Sequence, residues 1–483
     1  MDMSAVKQSV IASGPEIIVV LGACMLLMVG LIAEKRYGRL LVGASLAVVI
    51  AAAATTFALA GVPRTAYGGM FVIDDFAIFF KMVLYLATGL TVLMSGRYLE
   101  EEAIARSEYY ALLLFALSGM MIMASGLDLV TIYVGLELQA LSLYVLTGFF
   151  RHDPRSNEAA LKYIILGAVS SGIFLYGLSL VYGLTGTTQL PDIAAALAHG
   201  RATDPALILA TVFLVTGLVF KVGAVPLHMW VPDVYEGAPT TITAFLSVAS
   251  KAAAFAIVLR IFLDALAPVT EIWTVVVAVI AVLTMALGSF VALVQTNIKR
   301  MLAYSSIAHA GFVLLGLVAG GRDGVASVML YLLIYAFMNL GIFGTVVMMR
   351  KGDARGEMIA DYTGFAKTHR GLALLMLIFL FSLAGIPPTA GFFAKFYILV
   401  ALIEQGYVAL AVIAVLLSAV AAYFYIRIVM LMYMREPTRS FDLALTPSLR
   451  LVLAIAGLGT VGIGVLPSWF LDMAQGTILT VMR

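Results

Sequence analysis

An apolar run that carries a lysine and is then broken is the feature that most constrains this chain. Residues 206–226 are long enough to cross a bilayer, but they contain Lys221, Gly223 and Pro226. A charge at membrane depth costs roughly 3 kcal/mol or more, so it is rarely accidental. A break at that depth frees backbone groups that lipid cannot satisfy, so it must face protein or water. A second apolar run follows, with Lys251 in its middle. The pattern predicts an ion pathway.

Composition places the chain in the membrane. Of its 483 residues, 63% are hydrophobic and 12% are charged, whereas soluble domains are about 25% charged. The single cysteine, Cys24, excludes an intrachain disulfide, a Cys-rich zinc site and an iron–sulfur cluster held by this chain alone. The basic residues stand in short loops, so no nucleic-acid partner is expected. The first ten residues lack a basic segment followed by a cleavage site, so no cleaved signal peptide is expected.

Hydropathy predicts an all-α polytopic membrane protein with about 14 transmembrane helices. The longest loops, near 184–205 and 350–370, are too short to form a domain. The predicted spans lie near 15–33, 40–61, 76–96, 109–126, 128–150, 161–183, 206–226, 240–264, 272–294, 300–319, 325–349, 371–402, 407–433 and 449–470.

The basic residues of the loops predict the orientation. Seventeen lie in the loops that follow odd-numbered spans: Lys35, Arg36, Arg39, Arg97, Arg106, Arg151, Arg155, Lys299, Arg300, Arg350, Lys351, Arg355, Lys367, Arg370, Arg435, Arg439 and Arg450. Five lie on the opposite face: Lys7, Arg64, Arg201, Arg322 and Arg483. Because positive charge favours the inner face, both termini are expected on the outer, periplasmic side.

The broken seventh span has a counterpart in the twelfth, where Gly385, Pro387 and Pro388 interrupt the apolar run. Five spans, an odd number, separate the two breaks, so a tandem five-helix unit must enter the membrane from opposite sides. This predicts two inverted five-helix repeats with broken helices 7 and 12, as in transporters. The predicted parts are a three-helix segment 1–108, a first repeat 109–264, a second repeat 272–433 and a final helix 449–483.

Seven basic residues fall inside predicted spans. Four lie near span ends, where their side chains can snorkel to water: Lys81, Lys162, Arg260 and Arg427. The other three, Lys221, Lys251 and Lys395, lie too deep for that explanation. Among the acids only Glu137 lies deep in a span, while Glu16 and Glu404 stand at span ends.

A deep carboxylate beside a deep ammonium can act as a proton switch. Desolvation disfavours the charged form of each group, and a close partner of opposite charge restores it. Separating Glu137 from Lys221 would therefore release a proton from the lysine. A row of Glu137, Lys221, Lys251 and Lys395 could pass protons through intervening waters, with His309 as a further link. The alternatives are a structural clamp between Glu137 and Lys221, and an ordinary helix contact for His309. His228 is expected in the loop beyond Pro226.

Other motifs carry no chemistry. Residues 457–462 fit G-x-G-x-x-G but lie inside an apolar span, which favours helix packing over nucleotide binding. The chain contains no HExxH, Walker A or CxxC motif, and no pair of histidines is placed to hold haem. We therefore expect no metal, no cofactor and no redox chemistry in this chain itself.

Five segments resemble the antiporter-like membrane subunits of NADH-quinone oxidoreductase (respiratory complex I), most closely the subunit N branch. They are GLELQALSLYVL, EAALKYIILGAVSSG, FKVGAVPLHMWVPDVYEGAPTTITAFLSVASK, IKRMLAYSSIAHAGF and LAGIPPTAGFFAKFYIL. The resemblance implies fourteen helices, two inverted repeats and one proton pathway. It places the family's pathway residues on Glu137, Lys221, Lys251 and Lys395, and a further family lysine on Lys162. The sister subunit M usually has glutamate where this chain has Lys395.

The resemblance also implies partners and location. FMN, iron–sulfur clusters and quinone would belong to partner subunits, with M- and K-like neighbours beside this chain in the membrane. We expect a proton-translocating subunit in a bacterial inner membrane, with the mitochondrial inner membrane as the alternative location. The rival functions are a subunit of a multisubunit sodium/proton antiporter and a scaffold that only fills the membrane arm.

Overall fold

The computed structural model describes residues 3–32, 38–61, 63–102, 104, 106–198, 204–349, 356–437, 443 and 446–477. Within these residues, thirteen helices are long and apolar enough to cross a membrane. The predicted twelfth span forms two shorter helices, Arg370–Ala384 and Ala390–Glu404. The prediction of an all-α membrane protein with about 14 spans is therefore confirmed.

In the part of the chain that the structure describes, ten α-helices precede the central buried span. Their bounds are α1 Met3–Ala12, α2 Gly14–Ile32, α3 Gly38–Ala58, α4 Asp75–Glu101, α5 Ser107–Ser125, α6 Leu129–Thr147, α7 Pro154–Thr185, α8 Leu190–Leu197, α9 Pro205–Val222 and α10 Trp230–Gly237. A short antiparallel hairpin, β1 Arg64–Ala66 and β2 Phe71–Ile73, precedes α4. Neither the hairpin nor α8 is predicted by hydropathy, because both lie in segments too short to span.

The remaining helices begin with the central span. Their bounds are α11 Thr240–Phe245, α12 Lys251–Arg260, α13 Thr270–Ala292, α14 Ile298–Ala319, α15 Gly321–Met348, α16 Phe365–Thr368, α17 Arg370–Ala384, α18 Ala390–Glu404, α19 Val408–Met434, α20 Pro447–Val465 and α21 Pro467–Gly476. Two π-helical turns, Leu246–Ser250 and Ile261–Ala265, flank α12 and continue its span.

Short polar side chains start many of the helices. A side-chain oxygen of the residue before the helix accepts a backbone N–H of the first turn in α4, α6, α7, α9, α14 and α20, where the caps are Asp74, Asp128, Asp153, Asp204, Asn297 and Thr446. Each cap satisfies donors that the helix itself leaves free. In a membrane protein these caps also mark where the apolar run must begin.

The centre of the bundle is a span that touches no lipid-facing surface. Thr240–Ala265, which contains α11 and α12, is buried along its whole candidate window, and α14 and α15 are nearly as buried. Helices α2, α3 and α19 bury only 33%, 28% and 28% of their candidate windows. The candidate residues Lys251 and His309 therefore lie on the helices furthest from the surface.

The two halves of the bundle share a set of matching contacts. The segment before α6 pairs with the loop after α7, through Leu129 N–H to Thr188 O and Leu190 N–H to Leu127 O, both 2.9 Å. The segment before α14 pairs in the same way with the loop after α15. There Ile298 N–H donates to Glu357 O at 2.7 Å and Ile359 N–H to Thr296 O at 2.8 Å. The correspondence supports the predicted five-helix repeat.

A glycine sets the same helix register in both halves. Gly119 and Gly288 each stand nine residues before the cap of the following helix. A Cβ on Gly119 would lie 2.6 Å from Gln139 N, and one on Gly288 would lie 2.6 Å from Ala308 N. Backbones approach this closely only where no side chain intervenes. Because Gln139 and Ala308 both stand eleven residues after their caps, the register aligns Glu137 with Ser306.

Two of the four lysines and arginines predicted to snorkel do not. Lys81 is fully buried and pairs with Glu16 at 2.6 Å, and Arg260 is fully buried beside Asp74. Hydropathy misjudged them because their acidic partners also lie inside the fold, so the charges are paired and do not need water.

Several loop residues of the orientation count lie outside the described residues: Lys35, Arg36, Arg201, Arg350, Lys351, Arg355, Arg439 and Arg483. The orientation and the four-part division stay predictions.

We expect Gly288→Ala to destabilise the protein. The added methyl group would overlap the backbone of α14, and overpacking of this kind costs about 1–3 kcal/mol. Thermal unfolding of the detergent-purified protein measures the change. Gly172→Ala is the matched control, since a Cβ there has nothing within 4 Å. Equal unfolding temperatures for both variants would contradict the close-packing account.

Candidate functional site

Both predicted breaks end a helix in the same conformation. Gly223 follows α9 with φ +73°, and Gly385 follows α17 with φ +84°. The next residue donates back to the carbonyl four positions before the glycine, Ala224 to Val219 and Ile386 to Phe381. This hydrogen-bonded, left-handed ending favours glycine, because a Cβ is disfavoured at positive φ. The breaks are at the residues that the sequence predicted.

Lys221 lies in the last turn of α9, two residues before the break. Its Nζ donates to Ser171 Oγ of α7 at 3.3 Å. Glu137 of α6 interacts electrostatically with Lys221, although no ion pair within 4.0 Å joins the two groups. The buried Oε1 of Glu137 has no hydrogen-bond partner within the described part of the chain. The predicted pair is thus close but not in contact, which leaves the carboxylate available to a second arrangement.

Lys251 is held at the centre of the bundle. Its side chain is 3% exposed, and its Nζ donates to the carbonyl of Ser306 at 2.8 Å and to the Ser306 hydroxyl. The same Nζ lies 3.8 Å from where a Cβ of Gly223 would be. The ammonium therefore lies between the break after α9 and the middle of α14. A π-helical turn immediately precedes it, and such turns are frequent at functional sites.

Lys395 occupies the corresponding place at the second break. Its Nζ donates to Leu383 O at 3.2 Å, Ala384 O at 2.9 Å and Ser418 Oγ at 2.8 Å. It lies 3.2 Å from where a Cβ of Gly385 would be. The carbonyls belong to the end of α17, where the helix dipole favours a cation. A larger residue than glycine would crowd the ammonium at this second break.

His309 lies between Lys251 and Lys395, and both lysines act on it electrostatically. Its Nδ1 is 2.6 Å from the hydroxyl of Tyr331, and its Nε2 is 3.1 Å from the hydroxyl of Tyr425. Tyr425 in turn bonds Ser305, the neighbour of the serine that holds Lys251. The structure brings the histidine, predicted only as a further link, into the same row as the lysines.

The row differs between the two halves. Glu137 stands nine residues after the cap of α6, and Ser306 stands nine residues after the cap of α14. The first half therefore offers a carboxylate where the second half offers a hydroxyl. By the same register His309 aligns with Ala140. At this position one half presents a carboxyl group and the other half presents neutral hydrogen-bonding groups. The two halves therefore differ in the charge that would surround a proton.

Lys162 lies outside the row. Its Nζ pairs with Glu158 and Asp233, both at 2.7 Å, and its side chain is 42% exposed. Arg300 also bonds Asp233, at 2.9 Å. Burial by itself would raise the pKa of Asp233, but its hydrogen bonds and ion pairs with Lys162 and Arg300 lower it overall. This ionic network joins α7, α10 and α14. His228 lies in the turn between α9 and α10, as predicted.

The sequence missed the neutral partners of the row. Ser171 and Ser418 bond Lys221 and Lys395, and Tyr331 and Tyr425 bond His309. A serine inside an apolar helix is a weak signal, because its hydroxyl is usually satisfied by its own backbone. Among the described residues, no group of three or more His, Cys, Asp or Glu side chains is gathered as a metal site would require.

Comparison with known proteins identifies the family. A profile described as NADH:quinone oxidoreductase/Mrp antiporter, transmembrane, matches residues 126–421. The chain is 68% identical over 475 residues to NADH-quinone oxidoreductase subunit N 2 of Rhizobium meliloti strain 1021, covering 98% of this chain and 99% of that protein.

Solved structures share the fold. A chain of respiratory complex I from Thermus thermophilus, solved with bound aureothin, aligns with a TM-score of 0.81 and 31% identity, covering 95% of this chain and 99% of that chain. A chain of the Mrp complex from Dietzia sp. aligns with a TM-score of 0.83 at 22% identity, covering 97% and 96%, which shows the fold alone. The chain belongs to the subunit N family of NADH-quinone oxidoreductase, the antiporter-like, proton-translocating membrane subunits of that enzyme.

Proposed function

We propose that this subunit moves protons along the row Glu137, Lys221, Lys251, His309 and Lys395. The single observation that carries the proposal is that ionisable groups from five helices converge on the two helix breaks and on the buried centre between them. Each ammonium is held by hydroxyls or backbone carbonyls, and no carboxylate lies within ion-pair distance of Lys221, Lys251 or Lys395 in the described structure. An ammonium held only by neutral groups can lose its proton without leaving a bare counter-charge behind.

The first step is electrostatic. Glu137 stabilises the ammonium of Lys221 when the two groups approach, and this stabilisation fades when they separate. Lys221 then gives up its proton, and Lys251, on the other side of the break at Gly223, receives it through water. The hydrogen-bond geometry around Glu137 supports this step, because its free Oε1 can turn towards or away from the lysine.

The second step passes through His309. The histidine has two ring nitrogens, so it can accept a proton on one and release the proton on the other. Two neighbouring ammonium groups disfavour a third positive charge, so His309 acts as a brief carrier between Lys251 and Lys395. Lys395 exchanges protons with the far side of the membrane through the second break.

The driving force comes from partner subunits. Electron transfer from NADH to quinone, with FMN and iron–sulfur clusters, takes place in the other subunits of the enzyme and shifts the charge next to the row. This chain lies in a bacterial inner membrane with M- and K-like neighbours, and both termini face the periplasm. The excess of basic residues in the loops after odd-numbered spans supports this orientation.

We expect Lys221→Ala to reduce NADH-driven proton pumping by about tenfold or more in the assembled complex, since removal of a proton-transfer group commonly costs 10² or more in rate. Lys221→Arg is the decisive companion, because arginine keeps the charge but does not release its proton. Both variants should fail if Lys221 carries protons. Lys7→Ala, an exposed lysine of α1, is the control. Normal pumping by Lys221→Arg would favour the structural clamp.

We expect Glu137→Gln to lower pumping while leaving assembly intact. The amide keeps the shape of the side chain but removes the charge that stabilises the Lys221 ammonium. Proton uptake and NADH oxidation by inner-membrane vesicles measure the effect. As a control, Gln139→Glu is added to Glu137→Gln. This double variant is not expected to regain pumping, because residue 139 lies on a different face of α6 from residue 137, where Gln139 bonds Ser250. Pumping at the wild-type rate in Glu137→Gln would remove the acid from the pathway.

The rival function is sodium/proton exchange, favoured by the fold shared with the Mrp complex. Purification of the tagged subunit from its own membranes separates the two. We expect flavin- and iron–sulfur-containing proteins to purify with it, and proton movement to require NADH. Sodium-dependent proton exchange without any electron donor would support the antiporter instead. A scaffold would leave both activities unchanged in the lysine variants.

A further inference from the structure

The hydroxyl that holds Lys251 has a second partner. Ser306 Oγ accepts a hydrogen bond from the Lys251 ammonium and lies 3.3 Å from the hydroxyl of Tyr235 on α10. All three side chains are buried, with exposed fractions of 3% or less. A serine inside a helix often donates to a carbonyl one turn before it. The Ser306 hydroxyl makes no such bond among the described residues and meets Lys251 and Tyr235 instead.

The helix that carries Tyr235 is fastened to the helix that carries Ser306. Arg300 of α14 donates to Asp233 and to Glu236 of α10, both at 2.9 Å. These two acids stand on either side of Tyr235 in the sequence. The Tyr235 and Ser306 hydroxyls are therefore fixed relative to each other by an ionic contact outside the row.

A second tyrosine shows what is particular to Tyr235. The hydroxyl of Tyr335, on α15, also lies near Ser306, and its side chain is 3% exposed. That hydroxyl nevertheless makes no hydrogen bond within the described part of the chain. Tyr235, and not Tyr335, is therefore the hydrogen-bond partner of Ser306.

The two protonation states of Lys251 require opposite directions of the Ser306 hydroxyl. An ammonium group has N–H donors and no acceptor. When Lys251 is charged, the Ser306 oxygen accepts from it, so the Ser306 proton must point elsewhere. A neutral amine has a lone pair, which can accept the Ser306 proton. The hydroxyl therefore has to reverse when Lys251 gains or loses its proton.

Tyr235 makes both directions possible, because a phenol hydroxyl can donate and accept. With Lys251 charged, the Tyr235 oxygen accepts the Ser306 proton. With Lys251 neutral, Ser306 donates to the amine and Tyr235 donates to the Ser306 oxygen. If the Tyr235 hydroxyl were absent, the Ser306 proton would lose its acceptor in the charged state, and a buried polar group without a partner is costly.

We propose that Tyr235 is a positioning residue of the row, which orients the Ser306 hydroxyl so that Lys251 is hydrogen-bonded both with and without its proton. This role rests on the proposed function of the row. The register of the two halves places Ser306 where the first half has Glu137. A carboxylate therefore acts on Lys221, whereas a reversible pair of hydroxyls acts on Lys251.

Tyr235→Phe in the assembled complex tests the proposal. The ring and its packing remain, so the complex should assemble in wild-type amounts. NADH-driven proton pumping by inner-membrane vesicles should fall by about two- to tenfold, the effect of one lost hydrogen bond. Tyr335→Phe is the matched control and should pump at the wild-type rate, because its hydroxyl makes no hydrogen bond among the described residues. Wild-type pumping by Tyr235→Phe, or an equal loss in Tyr335→Phe, would overturn the proposal.

A double variant separates positioning from packing. Ser306→Ala should also lower pumping, because Lys251 loses the same hydroxyl. If Tyr235 acts only through Ser306, Tyr235→Phe/Ser306→Ala should pump no more slowly than Ser306→Ala alone. A further loss in the double variant, as large as the loss in Tyr235→Phe, would show that the tyrosine acts by another route. That result, or failure of Tyr235→Phe to assemble, would contradict the positioning role.

Lys251→Ala distinguishes the role of Tyr235 from the function of the row. Reduced pumping in both Lys251→Ala and Tyr235→Phe would support both. Reduced pumping in Lys251→Ala with normal pumping in Tyr235→Phe would overturn the role of Tyr235 and leave the row in place. Normal pumping by Lys251→Ala would overturn the function of the row at this lysine, and the role of Tyr235 with it.

Discussion

Helix ends inside a membrane expose carbonyls that lipid cannot satisfy, and this constraint governs the structure. The chain meets it repeatedly with a cation from a neighbouring helix. Buried contacts of this kind reach the ends of α17 and α5, through Lys395 and Arg260. Lys299, Arg427 and Arg322 make the same contact with the ends of α10, α13 and α21, closer to the loops. Each cation also meets the negative end of a helix dipole, so one contact satisfies both the carbonyl and the charge.

The same solution explains why lysines gather at the breaks. A break in a membrane helix creates a helix end at depth, and Lys395 fills that place at the second break. At the first break Lys251 lies against Gly223 but bonds Ser306. An arginine could satisfy a carbonyl equally well. A lysine, however, can release its proton, so the choice of lysine at these two positions is what turns a structural contact into a candidate proton carrier.

The two halves of the bundle match in their packing and differ in their charged residues. The caps, the backbone bridges and the paired glycines match position by position. The charged residues do not match, since Glu137 aligns with Ser306 and His309 aligns with Ala140. A symmetric frame can hold an asymmetric row because packing depends on backbone approach, whereas proton chemistry depends on a few side chains.

The sequence by itself determined the class of protein, the number of spans, both breaks and the deep residues of the row. Those features follow from local hydropathy and from glycine and proline, which act on their own neighbourhood. Only the tertiary structure decided the partners. Lys251 meets Ser306, 55 residues away, His309 meets Tyr425, 116 residues away, and Arg260 meets Asp74, 186 residues away. Hydropathy assigned Arg260 to the membrane surface because a single apolar run does not reveal which acid from a distant helix will compensate a buried charge.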